Sequence, residues 1–224
     1  MRTAGLALAA LLAAMPALGG RPLSTEDAST LPDKACQVET WVDRSRDATQ
    51  AWLVPACNFG AGIEWQLGGA RTWEEGRSAF SEAYFQGKKV LRPVGESWGF
   101  GIVAGVARRP LAESHDGWSN PFVIVPVTVA AGGDALVHFN VGAFHDRAER
   151  RTVTLWGVAG EMPVASRLHL VAEAFGENSE RPFVRAGVRF SAIAERLDLD
   201  LTAVAKPGGT RAERFLSFGF TWTP

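Results

Sequence analysis

Charged residues that alternate with apolar ones near the C-terminus are the first that could do chemistry. Asp198 and Asp200 alternate with leucines in the stretch RLDLDL, and Arg185 and Arg189 alternate with apolar residues just before it. Successive side chains of a β-strand point to opposite faces, so each stretch carries its charges on one face. With Glu173 on the preceding stretch, they predict a ladder of arginine–carboxylate pairs across three adjacent strands. Such a ladder pairs buried charges or selects a charged solute.

The same polar face extends over most of the chain. Its predicted charged and polar members are Glu39, Asp43, Glu64, Glu82, Lys88, His138, Asn140, Glu161, His169, Glu173, Arg185, Arg189, Asp198 and Asp200. Ionisable groups at membrane depth pair with one another or contact water. We therefore predict a charge network in a lumen, with two interpretations left open: a structural network that satisfies charges in a packed interior, or a constriction that selects a polar or charged permeant.

The two cysteines are placed to form a disulfide bond. Cys36 and Cys57 are equidistant from the centre of a predicted hairpin at Arg46 and Asp47, so a two-residue turn sets them opposite each other. Facing side chains there have Cβ atoms about 4.5 to 5.5 Å apart, close to disulfide distance. An oxidising compartment favours a Cys36–Cys57 bond over two buried free thiols. Neither a Cys-x-x-Cys motif nor a nearby histidine pair suggests a metal, and no cofactor is expected.

One stretch, SHDGWSN, could carry nucleophilic catalysis. His115, Asp116, Ser119 and Asn120 resemble the His and Ser-Asn of the outer-membrane phospholipase, although the spacing from His to Ser differs. Catalysis needs a base within hydrogen-bond reach of the serine and a third group that orients the base. The stretch lies in the longest predicted loop, where such residues are ordinary. We expect no enzyme, and a surface-loop hydrolase stays an alternative.

The elements that position these residues are predicted to be β-strands. Twelve alternating or β-rich segments lie between residues 37 and 222, most of them about 9 to 12 residues long, the length that a tilted membrane-crossing strand needs. The connections alternate between tight turns and longer loops such as TWEEGR and PLAESHDGWSN. Together these features predict an all-β fold, a single antiparallel up-and-down transmembrane β-barrel of about twelve strands.

The two faces of the predicted strands differ in polarity. Leucines at 197, 199 and 201 would face lipid while Asp198 and Asp200 face the interior. A secreted, soluble β-sandwich binding protein is the alternative, because its strands alternate in the same way. Many glycines on the polar face favour the barrel, where they leave room for long side chains. The two segments at 97–109 and 121–131 are apolar on both faces and fit either fold.

The N-terminus predicts export. Arg2 precedes an apolar run from Ala4 to Leu18, which is typical of a signal peptide, with cleavage after Gly19. We expect a signal peptide at 1–19, a periplasmic N-terminal segment at 20–35, and an outer-membrane barrel at 36–224. The segment at 20–35 is expected to be an unstructured leader, with insertion into the barrel mouth and binding of a periplasmic partner as the alternatives. Removing Arg2 from the 23 basic side chains leaves 22 against 24 acidic ones, a balance that does not suggest a nucleic-acid partner.

Several short motifs resemble a known family. RPLSTEDAS, CQVETW, PACNFGAGIEWQLGGAR, GKKVLRP, WGFGIVAGV, HFNVGAF, TLWGVAGEMPV, LHLVAEAFGE and FLSFGFTW look like uncharacterised Gram-negative outer-membrane β-barrel proteins, grouped loosely with the phenol-degradation meta-pathway transporter-like family. The resemblance spans nearly the whole chain after the signal peptide. It implies an outer-membrane location after export through the periplasm. Outer-membrane lipid, the barrel-assembly machinery and a small-molecule permeant are the expected partners of a monomer. A barrel without transport remains an alternative.

Overall fold

A computed structural model describes residues 21–95, 97–110, 118 and 120–224. Their strands are β1 (Cys36–Arg44), β2 (Ala48–Asn58), β3 (Ile63–Glu74), β4 (Arg77–Arg92), β5 (Trp98–Arg108), β6 (Asn120–Gly132), β7 (Ala135–Asp146), β8 (Arg151–Ala165), β9 (Leu168–Glu177), β10 (Phe183–Ile193), β11 (Leu197–Ala205) and β12 (Arg214–Trp222). A 3₁₀-helix, Arg211–Glu213, precedes β12. Among the described residues, no helix has the length and hydropathy to cross a membrane.

The strands close into one antiparallel barrel. Each strand pairs with its neighbours in chain order, and β1 pairs with β12 to complete the ring. The strands run from nine to sixteen residues. We call the end at which β1 begins and β12 ends the near end, and the opposite end the far end. The prediction of a single antiparallel up-and-down barrel of about twelve strands is confirmed.

One predicted loop is wrong. The stretch TWEEGR, residues 72–77, was expected to be one of the longer connections, but β3 and β4 continue into it and leave only Glu75 and Gly76 between them. Both residues have positive φ, 48° and 76°, as a two-residue hairpin turn of type I′ requires. This turn matches the right-handed twist of the two strands, so the hairpin extends without a loop.

The outward face of the barrel is apolar. Leu53, Leu201 and Phe218 each expose about half of their surface, 56%, 50% and 55%. Large aromatic side chains gather near both rims, at Trp65, Trp98 and Trp222 toward the near end and at Trp73 and Phe80 toward the far end. Such girdles around an apolar band are typical of barrels in a bilayer.

The predicted disulfide bond joins Cys36 to Cys57. The two residues are direct cross-strand partners at the near end of β1 and β2, with Cα atoms 4.1 Å apart. The register follows from the hairpin turn, in which Ser45 N donates to Ala48 O at 3.0 Å. The predicted pairing is therefore confirmed.

The lumen is not polar throughout. Its far half contains an apolar cluster, in which the Trp41 and Trp52 rings stack with their centroids 5.2 Å apart. The buried members are Trp41, Trp52, Val54, Ala70, Tyr84, Val103, Ala107, Phe122, Ile124, Phe144, Val153 and Leu155. The interpretation of a charge-lined lumen thus describes mainly the near half, and the centre of the far half packs like the core of a soluble protein.

Candidate functional site

Residues 21–32, which we call the N-terminal segment, lie inside the barrel. They form neither helix nor strand and run from Arg21, inside the lumen, to Leu31 and Pro32 at the near end. Arg21, Leu23, Thr25, Glu26 and Ala28 are each at most 5% exposed. The periplasmic assignment of residues 20–35 stays a prediction, but from Arg21 onward the chain fills the near half of the lumen.

Three carboxylates of the barrel wall accept hydrogen bonds from the backbone of the N-terminal segment. A buried coil cannot leave its N–H groups unpaired without a large cost, and it has no sheet partner. Glu173 accepts from the amides of Ser24 (2.9 Å) and Thr25 (3.0 Å). Two more amides of the segment donate to wall carboxylates: Leu31 N to Glu64 at 2.7 Å and Arg21 N to Glu39 at 3.3 Å.

Neutral wall groups hold the middle of the N-terminal segment. Ala28 N donates to Thr128 Oγ1 at 2.8 Å, and the same hydroxyl lies 2.9 Å from His138 Nδ1. Asn140, with its amide in the orientation that its neighbours require, donates to Glu26 O at 3.1 Å. These contacts fix the path of the coil without adding charge.

The segment's charged side chains meet wall charges of opposite sign. Lys88 Nζ lies 2.8 Å from Glu26 Oε2 and 3.0 Å from Asp27 Oδ1. Arg21 forms an ion pair with Asp200, with both side chains at most 3% exposed. A buried charge whose partner is removed is strongly destabilising, so both ion pairs help to hold the segment in the lumen.

The structure brings together only part of the predicted ladder. Arg185 Nη1 lies 3.2 Å from Glu173 Oε1 and also donates to the carbonyl of Pro22. Arg189 is the cross-strand neighbour of Asp200 but donates to Glu161.

The remaining predicted residues are spread around the near half. Asp198 accepts from Ser191 Oγ at 2.6 Å, and His169 faces Arg189 in register. His138 Nε2 lies 3.8 Å from Glu161 Oε1. Glu82, by contrast, faces Arg109 at 3.5 Å toward the far end. Among the described residues, no cluster of three or more His, Cys, Asp or Glu is arranged to hold a metal ion.

Two wall glycines make room for the N-terminal segment. A Cβ atom at Gly157 would lie 2.5 Å from Thr25 Oγ1, and one at Gly219 would lie 2.8 Å from Arg21 Nη2. Real Cβ atoms do not approach other atoms this closely, so any side chain at either position would collide with the segment. Glycines on the polar face were expected to make room for long side chains, and here they accommodate an inserted coil.

A cavity of about 240 Å³ remains between the N-terminal segment and the wall. It is lined on the segment side by Arg21, Asp27 and Leu31, and on the wall side by residues that include Glu39 and Arg189. The polar space in the near half is therefore large enough for several water molecules or a small solute.

Sequence reasoning found the wall acids and left open that the N-terminal segment enters the barrel mouth, but it did not connect the two. The N-terminal segment has no periodicity, and the only sign of its burial was the excess of acids on the lumen face. Of the candidate catalytic residues, His115, Asp116 and Ser119 lie outside the described residues. Asn120 is buried, and its Oδ1 accepts from Arg147 N at 2.9 Å.

Comparison with known sequences gives one family. The family described as "Uncharacterised conserved protein UCP029691" matches residues 7–222, almost the whole chain. No curated protein sequence matches the chain.

Solved structures of outer-membrane channels share the fold. A "KdgM porin" aligns with a TM-score of 0.61 at 7% identity, over 83% of this chain and 98% of that one. The "COG4313 outer membrane channel from Pseudomonas putida F1" aligns with a TM-score of 0.60 at 9% identity, over 88% and 98%. A "NanC porin" gives 0.55 at 9% identity, over 84% and 98%. The resemblance to outer-membrane barrels is thereby confirmed at the level of fold.

Proposed function

We propose, since this chain belongs to the family described as "Uncharacterised conserved protein UCP029691", that it is an outer-membrane barrel with a narrow channel for a small polar solute. In the state described here, the N-terminal segment closes that channel. The observation that carries the proposal is the placement of residues 21–32 in the near half of the lumen, where they are held to the wall by polar contacts and by a small apolar contact of Leu23 with Ala159 and Val171, all of them noncovalent. A coil held in this way can leave without breaking a covalent bond or a strand pairing.

The location in the outer membrane rests on the outward face. Apolar side chains cover it between two aromatic girdles, and a surface of this kind matches the hydrocarbon interior of a bilayer. The near-end connections have two to five residues, as at 133–134 and 166–167, whereas the far end carries, besides the two-residue turn at 75–76, longer connections such as 206–213. Shorter connections belong to the periplasmic side of bacterial barrels. The N-terminal segment then enters the lumen from the periplasm, as expected for the end at which an exported chain begins β1.

The charge of the wall favours a cationic solute. The wall groups around the segment's path comprise seven acids against three bases: Glu39, Asp43, Glu64, Glu161, Glu173, Asp198 and Asp200, and Lys88, Arg185 and Arg189. Without the N-terminal segment, this surplus would attract cations and repel anions. One KdgM porin structure is described as a complex with oligogalacturonate, an acidic sugar. The surplus of acids in the wall of this barrel would repel an anionic permeant of that kind.

A barrel without transport is the second candidate, because the far half of the lumen is packed. Phe122, Ile124, Phe144 and Leu155 are each at most 5% exposed and belong to the same apolar cluster. Close packing of this kind blocks water as well as solutes. Under this alternative the N-terminal segment completes an interior that never opens.

Liposome swelling separates the two candidates. Vesicles would carry the wild-type protein or a variant in which a Gly-Ser chain of equal length replaces residues 21–32. We expect swelling in small cationic solutes such as ethylammonium chloride for the variant, and little for wild type. Swelling with neither protein, in vesicles that contain folded barrel, would support the barrel without transport.

A further inference from the structure

The guanidinium group of Arg21 occupies a pocket in the wall. Its Nε donates to Asp200 Oδ2 at 3.3 Å, and its Nη2 donates to the other oxygen of the same carboxylate. Its Nη1 donates to Ser217 Oγ at 3.0 Å, and its Cζ lies 4.9 Å from the centroid of the Trp41 ring. A forked contact to a carboxylate together with an aromatic face is the geometry that suits a guanidinium better than an ammonium group.

The pocket belongs to the barrel and not to the N-terminal segment. Trp41 and Asp200 are both cross-strand partners of Gly219, so the three form one row across β1, β12 and β11. Ser217 and Asp43 are partners in the next row. Because paired strands set these positions, the pocket keeps its shape when its occupant is absent.

Glycine at position 219 forms the floor of the pocket. A Cβ atom there would lie 2.7 Å from Thr40 O and from Trp41 Cβ in the wall, and 2.8 Å from Arg21 Nη2. Any larger residue would fill the space that the guanidinium occupies. Glycine at this position therefore leaves space in the wall for one planar guanidinium group.

The pocket holds more carboxyl groups than Arg21 alone can pair with. Besides Asp200, it has the carboxyl groups of Glu39, which accepts from Arg21 N, and of Asp43. Asp43 is 8% exposed, and its Oδ1 has no hydrogen-bond partner among the described residues. A buried carboxylate oxygen without a partner is costly, and a further cationic donor would satisfy it.

A solute could reach this pocket from the near end. The cavity of about 240 Å³ is lined by Arg21 and Glu39 at the pocket, and by Leu31 and Pro32, where the segment leaves the lumen. A small organic cation that enters the cavity therefore meets the pocket without crossing the apolar far half.

We propose that this pocket is a binding site for the guanidinium group of a small solute, and that Arg21 is its tethered occupant. The inference rests on the proposed function, because the solute replaces Arg21 as the N-terminal segment withdraws. The segment would then compete with the solute for one site, and solute binding would favour the open lumen by the difference in affinity for the two states.

Calorimetric titration of full-length protein in detergent tests the site without a transport assay. Ethylguanidinium is the ligand and ethylammonium, with equal charge but no fork, is the control. We expect Arg21→Ala to bind ethylguanidinium at least about tenfold more tightly than wild type does, and more tightly than it binds ethylammonium. Adding Asp200→Asn or Gly219→Ala to Arg21→Ala should abolish the binding. Equal binding of the two cations, or binding that survives Asp200→Asn, would overturn the site.

Two further observations keep the test decisive. If Arg21→Ala does not fold, Arg21→Lys replaces it in the titration, because the lysine retains the charge. Ethylguanidinium should displace the lysine amine from the pocket. If ethylguanidinium does not bind to Arg21→Lys, the result counts against the site. Binding without swelling of the vesicles in which residues 21–32 are replaced would reject the channel and keep the pocket. Swelling without binding would reject the pocket alone.

Discussion

Lys88 Nζ lies 2.8 Å from Glu26 Oε2, and the two side chains are 5% and 0% exposed. Lys88 belongs to β4 and Glu26 to the N-terminal segment, so this ion pair connects the wall to the coil. Glu26 also accepts from Gln86 Nε2 at 2.9 Å, which leaves its carboxylate fully paired on the wall side. The Lys88 side chain is therefore one of the buried groups on which the position of the N-terminal segment depends.

Replacing Lys88 with methionine should release the N-terminal segment. The variant keeps the length of the side chain but leaves Glu26 and Asp27 without a cation, at a cost of about 3 to 5 kcal/mol for a broken buried pair. We expect glutamyl endopeptidase to cleave after Glu26 in the variant and not in wild type, as detected by mass spectrometry.

Lys89→Met is the matched control, because Lys89 is adjacent to Lys88 in sequence but exposed on the outward face. Equal resistance to cleavage in the two variants would show that the Lys88 ion pair does not retain the segment.

A designed disulfide should lock the N-terminal segment in place. A Cβ atom at Gly157 would lie 3.3 Å from Thr25 Cβ, close to the roughly 3.5 to 4.5 Å that a disulfide spans. The double variant Thr25→Cys, Gly157→Cys should therefore oxidise spontaneously. Lys88→Met should also cause vesicle swelling, because it releases the segment, and in the triple variant this swelling should disappear and return with reductant. Thr25→Cys alone should show no effect of oxidant; unchanged swelling in the locked protein would place the pathway elsewhere.

Gly219→Ala should weaken the contact between Arg21 and the wall. The added methyl group collides with Thr40 O and Trp41 Cβ of β1 as well as with Arg21 Nη2, and overpacking of this kind costs about 1 to 3 kcal/mol. We expect faster cleavage after Glu26 than in wild type. Gly160→Ala is the control, since a Cβ atom there meets nothing closer than Leu136 O at 3.9 Å. A Gly219→Ala protein as resistant as the Gly160→Ala protein would contradict the close approach.

Loss of the native disulfide should lower stability without opening the barrel. Cys36 and Cys57 close a loop of 21 residues in sequence separation, for which the bond contributes about 3 kcal/mol. For the double variant Cys36→Ala, Cys57→Ala we expect a lower urea concentration at the midpoint of unfolding. The change in gel migration that boiling causes in a detergent-resistant folded barrel should be the same as in wild type. The seam between β1 and β12 does not involve the disulfide, so loss of the heat-dependent shift would mean that the bond is needed for closure.

The wall of the barrel could be predicted from the sequence because its environment imposes a simple period. Leu199 faces outward and Asp200 faces the lumen, so the alternation of apolar and polar residues along the sequence predicts the face of each residue. The turn at Glu75 and Gly76 was missed because its strands continue past the expected loop. The packed far half had a sign in the sequence, since the segments that became β5 and β6 are apolar on both faces.

The N-terminal segment could not be predicted in the same way. Its conformation depends on partners in distant strands, such as Glu173 for Thr25 and Asp200 for Arg21. The local sequence of residues 21–32 has no pattern from which these partners could be predicted. The predicted ladder failed in part for the same reason: Asp200 lies beside Arg189 in register but pairs with Arg21, a residue 179 positions away in sequence.

Single-channel recording in planar bilayers tests the central claim most directly, namely that residues 21–32 close a conducting lumen. Wild type and the variant with a Gly-Ser chain in place of residues 21–32 would be compared in the same potassium chloride gradient. We expect wild type to remain mostly closed and the variant to conduct steadily, with a reversal potential that shows preference for potassium over chloride. Equal conductance of the two proteins, or a variant as silent as wild type, would contradict it.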